Sequence, residues 1–412
     1  MIAVNRAIEV YTISIKWNRL LMDLSLAEEV GSSVADQIEQ SLSYSGNEGI
    51  TVNGSKCNGG KRLTDPLINT LVTSWSRNSL CLQHLSLRSH HISDVGFEAI
   101  CTYIYGFNTP MLSTLDLEGN DITGNCMSKL DLGSALCPIE TLNLSSNPLG
   151  PVGGAVISEA LASSTRLKHL YLNNCEFPLN TLILLATSMV SSQLEDTPTL
   201  PRVCPIATLE LDRPLLWCES NKQEEGSDHI SRLMMLASKS PLSSLSLKFF
   251  NMQNFGAQIL AESMYRSYGS IVSLNLESNA IGVAGAEAIA TFIILQTKEA
   301  KRFSKCLRVL KLANNKIGDE GAVAIADALS TNTSLEEVTL KNNGISRGLV
   351  AVGRALEKNN SLRKITLFGN DFDMESGKIF MDLQTRFSYL SVSVDIQVYV
   401  IDGKYMVAEK SC

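Results

Sequence analysis

The sequence predicts an α/β solenoid, a horseshoe-shaped stack with parallel strands on its concave side and α-helices on its convex side. Two repeated patterns predict this class. A nine-residue phrase has aliphatic residues at positions 1, 4 and 6 and Asn at position 9, and a helical pattern follows most copies. The six clean copies of the phrase begin at Leu112, Ile139, Ile271, Leu307, Leu335 and Leu362.

Each phrase predicts one short strand followed by a turn. Side chains of a strand point alternately to opposite faces, so positions 4 and 6 enter the interior while positions 3, 5 and 7 face outward. At position 9 the Asn amide can form hydrogen bonds with the backbone groups of the turn. Leaving one such backbone group buried without a partner would cost about 1–3 kcal/mol. Cys175 holds this position in a seventh copy, and weaker copies begin at Leu82, Ile206 and Leu242, which brings the count to ten.

A second pattern, after the strands, predicts an α-helix in each unit. It consists of a Gly with aliphatic residues four and eight positions later, as in Gly321, Ile325 and Leu329. Steps of four place such side chains along one helix face. Small residues such as Ala326 follow where neighbouring helices must approach closely. Most phrases begin 27 to 30 residues apart, which leaves room for one strand and one full helix.

Residues 1–80 are predicted to form an N-terminal helical segment and an atypical capping unit. The capping unit has a strand at 50–54 and a helix over 65–75, and it covers the open end that a solenoid would otherwise expose. Residues 81–390 follow as about ten leucine-rich repeats.

Three intervals and the C-terminus depart from the repeat. Long loops rich in Pro, Ser, Glu and Gln are predicted near 178–205 and 213–235. Residues 391–412 are predicted to form a β-hairpin around Asp402 and Gly403 that closes the last edge of the sheet. A third long interval precedes the phrase at Leu307, and its cations are Lys298, Lys301, Arg302 and Lys305.

Charge, hydropathy and cysteine usage exclude several classes of function. The net charge is −7, without a basic footprint for nucleic acid. No apolar run approaches the roughly 20 residues that span a bilayer, and no signal peptide is visible. The ten cysteines include no C-x-x-C pair, so we expect free thiols in the cytosol or the nucleus, or in a large assembly such as a cilium.

The two patterns together resemble the ribonuclease-inhibitor-like group of leucine-rich-repeat proteins. L-x-x-L-x-L-x-x-N/C alternates with G-x-x-[AG]-[IL]-[AS]-x-x-[IL] over about residues 80 to 372. The group includes the ribonuclease inhibitors, the Ran GTPase-activating protein and the sensor domains of nucleotide-binding immune receptors. Residues 61–65 and 395–403 resemble a narrower family, that of leucine-rich-repeat-containing protein thirty-four. The resemblance implies an extended surface rather than a pocket.

No residue pattern predicts catalysis, a cofactor or a metal. His90 and His91 have no third ligand at helical or hairpin spacing, and the sequence has no Gly-rich phosphate loop or nucleophile elbow. Asp116 and Glu118 share the outward face of one strand, but an open sheet lacks the cleft that would shift their pKa values. We therefore expect that the chain is not an enzyme.

The outward strand positions predict the binding surface, because the concave face of such stacks is what they offer to partners. Acidic residues dominate this face in the first half of the chain, and lysines line it in the last three repeats. Such a bipolar face would orient an elongated partner by charge, whereas scattered charge would only keep the protein soluble. The predicted protein-binding residues are Asp116, Glu118, Tyr171, Asn173, Glu210, Lys311, Lys341, Lys364 and Phe368.

The sequence therefore predicts a non-enzymatic intracellular scaffold or adaptor that binds a protein partner on its concave face. It would act as a monomer or as a subunit of a larger assembly, without nucleic acid, membrane or cofactor. The resemblance leaves two alternatives. One is a regulator similar to the Ran GTPase activator, although that family has a long acidic C-terminal tail and this chain ends in Lys410, Ser411 and Cys412. The other is the ligand-sensing part of an immune receptor.

Overall fold

The computed structural model describes residues 37–38, 49–56, 62–77, 82–106, 111–134, 137–189, 204–214, 223–237, 239–385 and 392–410. The chain divides into two compact units, residues 1–177 and residues 178–412. Strands and helices alternate in both units, as an α/β leucine-rich-repeat solenoid requires. Among the described helices, none is long and apolar enough to cross a membrane.

Among its described residues, the first unit has five parallel strands, each hydrogen-bonded to the next along the chain. Their bounds are Gly49–Asn53 (β1), His84–Arg88 (β2), Thr114–Asp116 (β3), Thr141–Asn143 (β4) and His169–Tyr171 (β5). The strand predicted at 50–54 is therefore present as β1. The register places equivalent phrase positions side by side, so Leu85, Leu115, Leu142 and Leu170 form one buried row.

The helices of the first unit differ at one point from the predicted strand-plus-helix unit. The described α-helices are Asp65–Arg77 (α1), Asp94–Tyr105 (α2) and Gly150–Ser163 (α3). After β3 the chain forms only the 3-10 helix Gly124–Lys129. The reason is visible in the sequence, because polar Ser128 stands four residues after Gly124, where the helical pattern needs an aliphatic residue.

The second unit has seven parallel strands among its described residues, again in chain order. Their bounds are Thr208–Glu210 (β6), Ser244–Ser246 (β7), Ser273–Asn275 (β8), Val309–Lys311 (β9), Glu337–Thr339 (β10), Lys364–Thr366 (β11) and Ser393–Val394 (β12). The α-helices are Asn180–Ser188 (α4), Gln223–Ala237 (α5), Gln253–Ser267 (α6), Val283–Lys298 (α7), Gly318–Thr331 (α8), Gly348–Lys358 (α9) and Met374–Gln384 (α10).

The prediction of long loops near 178–205 and 213–235 was wrong where the structure has α4 and α5. In α5, Ile230, Leu233, Met234 and Ala237 are all buried and stand at steps of three and four, so the helix has an apolar face. The polar residues of its first half hide this periodicity in the sequence. Residues 190–203 and 215–222, the rest of the predicted loops, lie outside the described residues.

Glycine at the start of the helical pattern allows neighbouring helices to touch. A Cβ on Gly321 of α8 would lie 3.0 Å from the Cβ of Ala286 in α7 and 2.8 Å from Cγ2 of Ile317. Burial of the aliphatic residues that follow supplies the attraction, since Ile325 and Leu329 are fully buried. The pattern thus encodes a close approach of helices as well as helicity.

The position-9 asparagines form a ladder that joins successive turns. Asn315 Nδ2 donates to the carbonyls of Leu276 and Leu312 at 3.0 and 2.9 Å, and Oδ1 accepts from the backbone N–H groups of Asn279 and Ile281. The other position-9 asparagines donate to the preceding repeat in the same way: Asn120, Asn147, Asn279, Asn343 and Asn370. The predicted role of this Asn at the turn is confirmed.

The C-terminal hairpin forms as predicted around Asp402 and Gly403. Strands Ile396–Ile401 (β13) and Lys404–Glu409 (β14) pair antiparallel. Both loop residues have positive φ, 49° and 75°. These angles are typical of the two-residue turn whose twist matches that of the paired strands.

The predicted place of the hairpin was wrong, because it does not extend the parallel sheet. The two-residue strand β12 pairs with β11, while β13 and β14 form a separate sheet. The hairpin packs on α10 instead, where a Cβ on Gly377 would lie 2.5 Å from the Cβ of Tyr405. The side chain of Gln384 in α10 accepts from the backbone N–H of Val398 at 2.8 Å and so covers part of the β13 edge.

Candidate functional site

The candidate site in each unit is the outward sheet face, which we define as the phrase positions 3, 5 and 7. These side chains stand opposite to the buried leucines at positions 4 and 6, and most are polar. Because the strands pair in register, position 5 of one phrase lies beside position 5 of the next, as in Asn275, Lys311 and Thr339. Repetition therefore converts short motifs into continuous rows.

In the first unit, Asp116 and Glu118 lie together, as predicted, but they are not free. Arg88 contacts Asp116 through Nε, and its Nη1 lies 3.3 Å from Glu118 Oε2. Asn143 Nδ2 donates to the same Glu118 oxygen at 3.1 Å. From its outward position we expect Asp116 to be exposed, and this was wrong, since the residue is only 8% exposed. Arg88 is position 7 of the preceding phrase, so the strand register places it beside Glu118 and within reach of Asp116.

Tyr171 and Asn173 follow on the next phrase of the same unit. Tyr171 is half-buried and lies beside Asn143 in the register of β4 and β5. The backbone N–H of Asn173 donates to Ser145 Oγ at 3.1 Å, which fixes the chain where it leaves the strand. These two residues are placed on the outward sheet face as predicted.

In the second unit, Glu210 is half-buried on β6 beside Ser246. The predicted protein-binding residues do not include Lys248, an outward residue of the next phrase, whose Nζ lies 3.8 Å from Asp212 Oδ2 and 3.7 Å from Glu277 Oε2. Position 7 of three successive phrases thus reads acid, lysine, acid. That order was a usable signal, because the register places equal positions side by side.

Lys311 and Lys364 lie on the outward sheet face of the second unit, both half-buried. Within the described part of the chain, Lys311 takes part in no ion pair. Lys364 Nζ lies 3.6 Å from Glu337 Oε1 on the adjacent strand. Lys311 is therefore the one predicted cation of this face that has no acidic partner among the described residues.

Lys341 lies on the outward sheet face, where we expect an exposed side chain, but residues of the C-terminus hold it. Its Nζ lies 2.6 Å from Glu409 Oε1 and 3.5 Å from Asp395 Oδ2, and 5.7 Å from the centre of the Phe368 ring. The hydrogen bond to Glu409 is the main reason that the pKa of Lys341 is raised. Asp395 also accepts from the backbone N–H of Leu367 at 2.6 Å. No local pattern could have found a partner 68 residues away.

His90 has a structural role at the turn, as the position-9 residue of the phrase that begins at Leu82. Its Nδ1 accepts from the backbone N–H of Leu63 at 3.1 Å, and Nε2 lies 3.3 Å from the carbonyl oxygen of Val52. This geometry needs a neutral ring with its proton on Nε2. Burial lowers the pKa of His90 to about 4. Among the described residues, no group of three His, Cys, Asp or Glu side chains could hold a metal ion.

An open polar groove of about 400 Å³ lies between the loops that lead into β10 and β11. Asn332, Asn359, Glu336, Lys358 and Arg363 line it. The two asparagines are buried and bond to neighbouring backbone, so they serve the loop structure. The prediction named no residue here.

Comparison with known proteins identifies the repeat. Segments 78–101, 109–131, 135–158, 270–290 and 303–326 match the family described as Leucine Rich repeat. The ribonuclease inhibitor of Sus scrofa is 26% identical over 276 residues, which cover 63% of this chain and 58% of that protein. Protein CARMIL of Dictyostelium discoideum is 24% identical over 298 residues, which cover 69% of this chain and 25% of that protein.

Among solved structures, the crystal structure of a TLR13–ssRNA13 complex aligns with 79% of this chain and 52% of that chain, at 15% identity and a TM-score of 0.31. The chain thus spans less than two thirds of the length of the curated relatives that it matches.

Proposed function

We propose that this leucine-rich-repeat protein is a non-enzymatic scaffold that binds a partner protein on its outward sheet face. One observation carries the proposal: polar side chains from successive strands form continuous rows within each unit, and neighbouring side chains hold many of them in place. A surface organised before binding loses less conformational entropy on association. The porcine relative inhibits a ribonuclease, an activity that requires contact with another protein.

The binding residues differ in what they contribute. Lys311, Tyr171 and Asn173 are half-buried residues on the outward sheet face and supply charge, ring surface and an amide. Asp116 and Glu118 are shared with Arg88, so we expect them to shape the surface more than to attract a partner. Complementary charge across an interface contributes more to specificity and to the rate of association than to affinity.

The location and the narrower kinship belong to the same proposal. Five buried free thiols, at Cys101, Cys126, Cys137, Cys175 and Cys204, favour a reducing compartment such as the cytosol or nucleus. The sequence resemblance of residues 61–65 and 395–403 supports kinship with the family of leucine-rich-repeat-containing protein thirty-four. We propose a monomer or a subunit of a larger assembly.

The test is affinity capture by the purified protein and by a double variant, Lys311→Glu with Lys364→Glu, followed by quantitative mass spectrometry. The matched control is Lys316→Glu with Lys378→Glu, which makes the same charge change at exposed lysines outside the outward sheet face. We expect partners whose recovery falls about tenfold with the first variant and stays constant with the second. Identical recovery from all three proteins would remove the sheet face as the binding surface.

A further inference from the structure

The connection between α7 and β9 carries a compact group of cations that the proposed sheet-face function does not use. This basic segment, residues 298–305, has four cationic side chains and one acidic side chain, a surplus of three positive charges. It occupies the long interval before the phrase at Leu307, which begins 36 residues after the phrase at Ile271. The next phrase, at Leu335, begins only 28 residues later, so the basic segment is an insertion relative to the usual repeat length.

Aromatic packing holds the basic segment in one conformation. Phe303 is 7% exposed, and its ring centre lies 5.4 Å from that of Tyr268 and 6.1 Å from that of Phe292. The guanidinium of Arg302 lies over the Tyr268 ring at 4.4 Å and pairs with Glu299 at 2.7 Å. Buried aromatic side chains supply large contact areas, so the segment is a fixed platform.

Three lysines of the platform are exposed without an opposite charge. Lys298, Lys301 and Lys305 form no ion pair with any residue that the structure describes. The C-terminal end of α7 explains a cation at Lys298, because the helix dipole favours positive charge there. That effect falls off within the last turn, and the other two lysines lie beyond it. Lys301 and Lys305 therefore carry positive charge that no acidic side chain among the described residues pairs with.

We propose that the basic segment 298–305 binds an acidic stretch of a partner protein, an extended peptide rich in Asp and Glu. Carboxylates of such a peptide would pair with the exposed lysines, and complementary charge at an exposed surface favours encounter and orientation. This surface is separate from the outward sheet face and goes beyond the scaffold function proposed for it.

Details of the segment favour an acidic peptide over nucleic acid or a lipid surface. Phe303, the one aromatic residue of the segment, is buried against Tyr268 and Phe292, so no aromatic residue of the segment is left for bases to stack on. No large apolar side chain of the segment is exposed for insertion into a membrane. Arg308, the next cation along the chain, is already paired with Glu336. The surplus charge therefore covers a patch suited to a few carboxylates.

The test measures binding of the whole protein to a fluorescein-labelled peptide of alternating Glu and Ser, by fluorescence anisotropy at low salt. The same peptide with Gln for Glu is the ligand control. The variant is Lys298→Glu, Lys301→Glu and Lys305→Glu together, and circular dichroism checks its fold. We expect the dissociation constant to rise roughly tenfold or more, because three attractions become repulsions. The Gln peptide should not bind.

The matched control combines Lys316→Glu, Lys378→Glu and Lys404→Glu, three exposed lysines elsewhere in the second unit. It should change the dissociation constant by less than about twofold. The sheet-face variant with Lys311→Glu and Lys364→Glu should also bind the acidic peptide normally, which separates this proposal from the scaffold function.

Unchanged binding by the segment variant, or an equal loss with the control triple, would overturn the proposal. So would segment-dependent binding of single-stranded RNA or of phosphatidylserine vesicles in the absence of peptide binding.

Discussion

A single buried imidazole joins the first described repeats. His90 bonds to the backbone of two neighbouring segments, and the bond that Nδ1 accepts from the Leu63 N–H depends on the neutral ring. An Asn at this position would make similar bonds without a titrating group, as the other rungs of the ladder show. At this position-9 residue, therefore, the hydrogen bonds between successive turns are sensitive to acid.

We predict that His90 makes the folded chain less stable as the pH falls from about 6.5 to about 4. The unfolded chain binds a proton below its ordinary pKa of 6.5, whereas the folded chain, with a pKa of about 4, does not. Lowering the pH through this window therefore lowers the free energy of unfolding, by up to about 3 kcal/mol in total. Above pH 6.5 the full stabilisation from the neutral His90 ring is present. Urea unfolding at a series of pH values measures the effect.

His90→Asn should remove most of this pH dependence while keeping stability near neutral pH. The control is His91→Asn, because the His91 side chain is exposed and bonds to Asp121 at the surface. An unchanged slope between pH 4 and 6.5 in His90→Asn would show that other groups cause the acid sensitivity.

At the scale of elements, alternation within a three-residue strand separates stability from recognition. In β9, Leu310 is 1% exposed and faces the helices, whereas Val309 and Lys311 on either side face outward and are half-buried. Stacked repeats bury one continuous core, so an interior leucine supports its neighbours as well as its own unit.

Leu310→Ala should lower the free energy of unfolding by roughly 2–5 kcal/mol, because it removes buried surface and leaves a cavity. Val309→Ala, the adjacent outward position, should cost less than about 1 kcal/mol. Chemical denaturation followed by circular dichroism compares the two. Equal losses would mean that the strand does not alternate as the structure has it.

In the C-terminal hairpin, a side chain of the neighbouring helix α10 protects the edge of strand β13. Gln384 of α10 accepts from the Val398 N–H, a group that β14 does not bond. We predict that Gln384→Ala speeds hydrogen–deuterium exchange over β13, because an unpaired edge N–H is open to water. Gln397→Ala, on the same strand, should leave exchange unchanged. If both variants exchange alike, Gln384 does not protect this edge.

Across the molecule, the described cysteines should differ in reactivity according to burial. Burial raises the pKa of Cys101 and of Cys175 to about 12, so almost no thiolate forms at neutral pH. Cys306 is half-buried and closer to solvent. Among the six described cysteines of the native protein, we expect iodoacetamide to label Cys306 first, with Cys101 and Cys175 reacting only in denaturant. Peptide mass spectrometry after timed labelling measures this order, and early labelling of Cys175 would contradict it.

The sequence by itself determined the fold class and the position of most elements. Each repeat is specified locally, since the aliphatic residues at positions 4 and 6, the Asn at position 9 and the Gly of the helical pattern impose the same geometry in every copy. It also determined which residues lie on the outward sheet face, because strand alternation follows directly from phrase position. Where the pattern was weak, as in α5, the prediction failed.

Only the tertiary structure decided the state of the charges and the place of the hairpin. Arg88 pairs with Asp116 across strands, and Glu409 reaches Lys341 from the end of the chain, so two predicted open positions are already occupied. Such contacts depend on distances between residues that are far apart in sequence. The period of the sequence pattern predicts which side chains of each strand are buried. Tertiary packing decides which charged side chains pair, because hydrogen bonding and screened Coulomb attraction act only at short range.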